Sequence, residues 1–239
     1  VSRDRHARRA RALLAAAWAA ALLAVPGGDA AVADHRTELE RADLQRLTVL
    51  VTKEQPLRPP EYEPPDLVGW RDEPYQVRAE VSTQLERLFT AAERDGAPLR
   101  VVSGYRSFQT QAEVFDYWRR RHGEEVAERR SARPGHSEHQ TGLAVDVDGS
   151  SGGCYLRQCF GDTEAGRWVA RHAHRFGFVL SYPPDTLERT GYAYEPWHLR
   201  YVGPRLAGAM REQDIALLED ALRGPFGSAL WGALLGRGH

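Results

Sequence analysis

Residues 137–147 read SEHQTGLAVDV, and this stretch limits the possible folds more than any other in the chain. Side chains alternate across a strand, so Leu143, Val145 and Val147 share one face while Ala144, Asp146 and Asp148 share the other. The apolar face demands a covering layer, which helices or a second sheet must supply. On the opposite face, Asp146 stands beside the small Ala144, where little side chain blocks an approaching ligand. Gly142 permits a sharp turn that can swing His139 back over that face. A metal site and a plain polar turn are both compatible with this stretch alone.

Elsewhere helical and strand signals mix without βαβ alternation. Val77, Val81, Leu85, Leu88, Phe89 and Ala92 recur at three and four, predicting a helix over 75–93 that Gly96 closes. A strand over 99–102 leads into Ser103-Gly104-Tyr105-Arg106-Ser107, and a second helix follows from Phe108 to Gly123, with a short helical piece at 124–130. Asp162-Thr163 can cap a helix running to Arg175 and stopped by Gly177. Further strands are expected at 178–182 and 197–202, and helices at 204–211 and 215–222. Leu47 to Val51 is a short β-like run. After it, the five prolines of KEQPLRPPEYEPPDLVGW forbid regular structure and predict an extended strap. The class is α+β, a small central antiparallel sheet flanked by helices.

A second polar constellation lies in YEPWHLRYVG. Pro196 removes a backbone donor, which puts Glu195 in the loop before a strand beginning near Trp197 and frees it to turn towards the same cavity as His198. His139, Asp146 and His198 would be three protein ligands, the number a catalytic zinc takes while keeping one position for water. Glu195 would then be the base, taking a proton as water attacks an amide carbonyl. Arg106, permanently charged in a strand-to-helix turn, is the candidate to hold an oxyanion or carboxylate. His136 is an equally available ligand by spacing. His172 and His174 are two apart on a predicted helix and do not face one point.

The net charge of −1 offers no basic excess to recruit nucleic acid. Arg3, Arg5, Arg8, Arg9 and Arg11 precede an uncharged apolar run from Ala12 to Val25, and Ala31-Val32-Ala33 has cleavage spacing. Residues 1–33 therefore read as an export signal or, uncleaved, as an N-terminal membrane anchor. Residues 34–46 form a polar spacer, 47–212 the catalytic domain, and 213–239 a C-terminal helix and tail. Export lets Cys154 and Cys159 form a local disulfide, with two reduced cysteines as the alternative.

Taken together, SGYRS at 103–107, Ser137-x-His139-x-x-Gly142-x-Ala144-x-Asp146 and Glu195-x-Trp197-His198 resemble the three signatures of the VanY-type D-alanyl-D-alanine carboxypeptidases. Those enzymes belong to the zinc superfamily that also holds lysostaphin-type peptidases and the hedgehog fold. The match runs in order from about Leu47 to Val202. Leu199 departs from it, standing where many relatives have an aromatic. The resemblance implies Zn2+ held by His139, Asp146 and His198, Glu195 as catalytic base and Arg106 as transition-state stabiliser. It also implies substrate contacts from Ser137 and Gln111. His136 drops out, and Asp148 aligns with no role.

The implied reaction removes the terminal D-Ala of a peptidoglycan stem peptide by a monomeric enzyme exported to the cell envelope. An L,D-carboxypeptidase or cell-wall endopeptidase of the same superfamily is the close alternative. A non-catalytic hedgehog-like binding module is the more distant one, against which the presence of Glu195 speaks.

Overall fold

The alternating run after Gly142 forms strand β4 (Ala144–Gly149), and every residue of it is buried. The computed structural model describes residues 45–223. The basic and apolar N-terminal segment, nearly all of the polar spacer and the tail after Arg223 lie outside them. Four antiparallel strands make the central sheet in the order β3 (Leu99–Ser103), β4, β6 (His198–Tyr201), β5 (Phe178–Leu180). A separate two-stranded ribbon pairs β1 (Leu67–Gly69) with β2 (Gln76–Arg78).

One face of the sheet closes the core. Leu143, Val145, Val147, Leu199 and Tyr201 pack with Val81, Leu85 and Leu88 of helix α1 (Ala79–Arg94) and with Trp168 and Val169 of α4 (Glu164–His172). Apolar burial of this kind stabilises by roughly 1.5–3 kcal/mol per large side chain. Leu199 lies in this core, so its departure from the aromatic expectation bears on packing.

The other face carries Ala144, Asp146, His198 and Arg200, and register fixes their neighbours. Asp146 pairs with His198 across the β4–β6 ladder, and Ala144 with Arg200. On the other side, a bulge between Val101 and Ser103 sets Ser103 opposite Asp146. Such bulges re-aim side chains beside functional sites.

Helix α2 (Phe108–His122) starts at Ser107, whose Oγ accepts from the Thr110 N–H, and ends at Gly123. Its Phe115 and Trp118 are only half-buried, and Gln111 is its single buried residue. Helix α3 (Glu124–Arg130) packs against it. Thr163 caps α4 as expected. Residues 173–176 tighten into a 3-10 turn before Gly177, so the regular helix is shorter than its sequence pattern. The short helix α5 is Leu187–Thr190. Helices α6 (Pro204–Glu212) and α7 (Leu218–Leu222) share a second apolar cluster with Val202.

Two expectations need correction. Residues 76–78 belong to strand β2 rather than to the helix, because they pair with β1. Leu47 to Val51 is not a strand among the described residues: Leu47 ends a helical turn and the rest is irregular. The carbonyls of Leu47 and Val49 are satisfied instead by the Arg200 side chain.

The proline strap is tied to the loop carrying His139. Leu57 N–H donates to Gly135 O, and Gln140 Nε2 donates to Pro60 O and Tyr62 O at 2.6 and 3.1 Å. Cys154 and Cys159 are joined in a disulfide. Among the described residues, no helix is long and apolar enough to cross a membrane.

Candidate active site

His139, Asp146 and His198 converge, with one ligand atom of each lying within 4.8 Å of the others. Each is 4% exposed. His139 sits on a 3-10 turn (Glu138–Thr141) that ends at Gly142 in the left-handed region, φ 67°. A Cβ on Gly142 would also meet Arg78 Cγ at 2.8 Å, so only glycine suits this turn. The turn brings His139 Nε2 to 3.2 Å from Asp146 Oδ2. Its Nδ1 faces Gly104 O at 2.7 Å, and a carbonyl there requires the N–H on Nδ1. His198 Nδ1 lies 3.0 Å from Asp146 Oδ1.

Two imidazole nitrogens and a carboxylate are a donor set suited to zinc with an open fourth position. The tautomer of His139 agrees, since its Nε2 carries the free lone pair. The Asp146 carboxylate, buried between two imidazoles, is likewise an arrangement a cation balances. His136 stands apart, its Nδ1 2.8 Å from Thr52 O. His172 stacks on Trp168 instead.

Glu195 is positioned by the backbone on both sides. Its N–H donates to Tyr182 O at 3.0 Å, and its carbonyl accepts from the His198 N–H at 3.1 Å. The carboxylate itself has no hydrogen-bond partner among the described residues. Burial pushes its pKa up to about 7; the field of His198 works against this and that of Asp146 adds to it.

Arg106 is held from two sides, with Nη1 donating to Gln111 Oε1 at 2.8 Å and Nη2 to Ser103 Oγ at 3.1 Å. Burial lowers its pKa, and Asp146 and Glu195 are near enough to oppose that shift. Ser137, buried at the start of the His139 turn, makes no side-chain hydrogen bond among the described residues. Its hydroxyl is therefore available to a ligand.

Gln111 differs from expectation. It is 0% exposed, and Nε2 donates to Ser131 Oγ and Ala132 O while Oε1 receives Arg106. Every polar atom of the amide is engaged, so Gln111 supports Arg106 instead of offering a surface to substrate.

Four neighbours, Glu138, Ser181, Arg200 and Tyr182, escaped the sequence reading. Glu138 Oε2 lies 2.9 Å from His198 Nε2 and accepts from Ser181 Oγ at 2.5 Å, and its Oε1 accepts from Arg200 Nη1 at 3.0 Å. The Tyr182 ring lies over His198 at 5.0 Å between centroids. Burial favours the neutral form of Glu138, yet Arg200 and His198 hold its pKa down at about 2. Burial opposes charge on His198 too, but Asp146 and Glu138 together raise its pKa to about 10. Asp146 stays below the ordinary carboxylate range despite burial, through His139 and His198. Alternation in β6 puts Arg200 on the His198 face, a signal open to sequence. Glu138 had none beyond adjacency to His139.

A cavity of about 260 Å³ lies behind Glu138, Ser181 and Tyr182, roofed by residues 50–55 and by Leu217 and Leu218. None of His139, Asp146, His198 or Glu195 lines it.

This fold and site are those of a peptidase with a metal-binding centre. Residues 74–204 match the family model described as VanY: D-alanyl-D-alanine carboxypeptidase. A D-alanyl-D-alanine carboxypeptidase of Enterococcus faecalis is 35% identical over 199 residues, covering 77% of this chain and 69% of that one. Among solved structures, the LdcB LD-carboxypeptidase superposes with TM-score 0.66 at 41% identity, covering 72% of this chain and 83% of that one. The vancomycin-resistance D,D-pentapeptidase VanY in complex with Zn(II) does so with TM-score 0.65 at 33% identity, covering 74% and 99%. The chain belongs to the VanY family of D-alanyl-D-alanine carboxypeptidases.

Proposed function

We propose that the protein is a zinc-dependent D,D-carboxypeptidase that hydrolyses the terminal D-Ala of peptidoglycan stem peptides. The observation that carries this reading is the buried grouping of His139, Asp146 and His198, with the Glu195 carboxylate, unpartnered among the described residues, and the anchored Arg106 guanidinium close enough to act on it electrostatically. His139 Nε2, an Asp146 oxygen and His198 Nδ1 would hold the ion. When bound, zinc supplies a Lewis acid and makes water acidic near neutral pH.

The chain's own groups do the rest. Glu195, with a pKa near the working pH, takes the proton of the attacking water and returns it to the leaving amine. Arg106 offers a fixed positive charge to the developing oxyanion or to the terminal carboxylate of the peptide. Its two remaining contacts, Gln111 and Ser103, keep it from reorganising during the reaction. Ser137 Oγ supplies a hydroxyl to the peptide backbone of the substrate.

Cross-linkable stem peptides lie outside the membrane, and the basic and apolar stretch over 1–33 supports export, or anchoring at the envelope. A second reading, L,D-carboxypeptidase, is favoured by the 41% identity to LdcB. Mass spectrometry of products from pentapeptide and tetrapeptide stems, with and without chelator, tests both. Release of one D-Ala from the pentapeptide supports the first reading. Cleavage of the tetrapeptide alone supports the second. Cleavage of neither by zinc-loaded protein refutes both.

A further inference from the structure

We infer that Glu138, braced by Arg200 and Ser181, is a positioning residue that decides which nitrogen of His198 is free to hold the metal. The inference rests on the metal-site reading given above and adds to it a residue that touches neither metal nor substrate.

A neutral imidazole carries one N–H and one lone pair, and its neighbours choose which nitrogen has which. His139 is set by backbone, through Gly104 O on its Nδ1. His198 must present the opposite nitrogen, because it is Nδ1 that faces Asp146. Left to itself, a neutral His198 would place its proton on Nδ1 and donate it to Asp146 Oδ1, 3.0 Å away, closing the site to a cation. Glu138 provides the competing acceptor. Its carboxylate lies 2.9 Å from Nε2, so of the two ring protons the one on Nε2 is held, and the one on Nδ1 is the proton a metal displaces to use that lone pair.

Glu138 can do this only if its own oxygens stay in place, and they are engaged on every side. Arg200 Nη1 binds Oε1 at 3.0 Å, and Ser181 Oγ binds Oε2 at 2.5 Å. Arg200 is 0% exposed and is itself tethered, with Nη2 donating to Leu47 O and Val49 O, both at 2.9 Å, and Nε to Tyr201 O at 3.1 Å. The ring of Tyr182 lies against His198 with planes 38° apart, limiting rotation of the imidazole. A chain of contacts thus runs from the segment at Leu47 through Arg200 and Glu138 to one nitrogen of one ligand. Outer partners of this kind set ligand orientation and basicity in metal sites generally.

The test compares the full zinc-loaded protein with Glu138→Gln and Glu138→Ala. Zinc affinity is read by chelator competition, and the His198 Nε2–H by long-range proton–nitrogen spectra of histidine-labelled protein. We expect the zinc dissociation constant to rise about 10–100-fold in both variants. The Nε2–H resonance of His198 should shift and lose exchange protection, while that of His139 Nδ1–H stays. A folded Glu138→Gln protein with zinc affinity within about twofold of the parent and an unmoved Nε2–H resonance would overturn the inference. Because Glu138→Ala leaves a void and no acceptor beside the buried Arg200 and can fail to fold, the isosteric glutamine variant, which keeps an oxygen for Arg200, carries the decision. If zinc leaves His198 Nδ1 unshifted in the parent protein, the metal-site reading fails as well; if only the variants behave normally, this inference alone fails.

Discussion

Asp146 and His198 face each other directly across neighbouring antiparallel strands, with Asp146 Oδ1 3.0 Å from His198 Nδ1. Two donors fifty-two residues apart are thereby placed by sheet register, the most rigid device the fold has. His139 and Glu195 reach the site from outside the sheet, and each of those segments is pinned by backbone hydrogen bonds.

The first prediction concerns Glu195. Its carboxylate is the acidic group beside the ligands that has no hydrogen-bond partner among the described residues, and it contributes nothing to holding them. Glu195→Gln should lower kcat by about a hundred- to ten-thousand-fold, the range a positioned base supplies. Metal analysis of the purified variant should show the zinc content of the parent. Unchanged turnover would remove Glu195 from its role.

Much of this site was legible beforehand, and the reason is local. Alternation from Leu143 to Asp148 shows which face Asp146 takes, and Pro196 shows where the last strand cannot begin. Glu138 was not legible because a 3-10 turn sends adjacent residues to different targets, His139 to Asp146 and Glu138 to His198. The strand at 76–78 was hidden because Val77 also continues the helical periodicity of α1, and only pairing with Leu67–Gly69 distinguishes the two. Leu47 to Val51 has strand composition, but a side chain from β6 takes up the carbonyls a neighbouring strand would use.

The second prediction follows from charge. In metal-free protein the two flanking carboxylates keep His198 protonated up to about pH 10, well above the ordinary histidine value. Zinc needs the Nδ1 lone pair, so binding must expel that proton. Raising the pH lowers the cost of doing so. Apparent zinc affinity should therefore tighten by up to about tenfold per pH unit between pH 6 and 9. Calorimetry at pH 7 in buffers of different ionisation enthalpy should show net proton release. Proton uptake, or affinity that falls with pH over this range, would contradict the charge state of the site.

Gln111 gives the third. Its amide joins Arg106 to Ser131 Oγ and Ala132 O without reaching solvent. In Gln111→Ala, Arg106 loses one of its two anchors, and displacement on the scale of 1 Å is enough for about a hundredfold loss. Most of the effect should fall on kcat, with KM changing less. The buried groups left without a donor should cost about 1–3 kcal/mol in urea unfolding. A variant with reduced stability but unchanged kcat would leave Gln111 a purely structural residue.

Gly104 makes a demand on backbone geometry that reaches the site, because its carbonyl fixes the tautomer of His139. A Cβ at this position would stand 2.5 Å from Gln76 O and 3.3 Å from Tyr75 Cβ, and the obstructing oxygen is backbone. Gln76 O is already engaged, accepting from the Tyr105 N–H at 2.6 Å, so it cannot retreat without releasing the turn that carries Arg106. Gly104→Ala should therefore cost about 1–3 kcal/mol, the range for overpacking a tight site, and shift the melting temperature down by about 2–4 °C for each of them. Zinc affinity should weaken in the same variant, since His139 loses its fixed acceptor. Gly208 in α6 is the control: a Cβ there meets nothing within 4 Å, and Gly208→Ala should raise stability by about 0.5–1 kcal/mol through helix propensity. Thermal melts of the two variants, with and without saturating zinc, check both signs. If Gly104→Ala binds zinc and melts like the parent, the close approach at Gln76 is not what holds His139 in register.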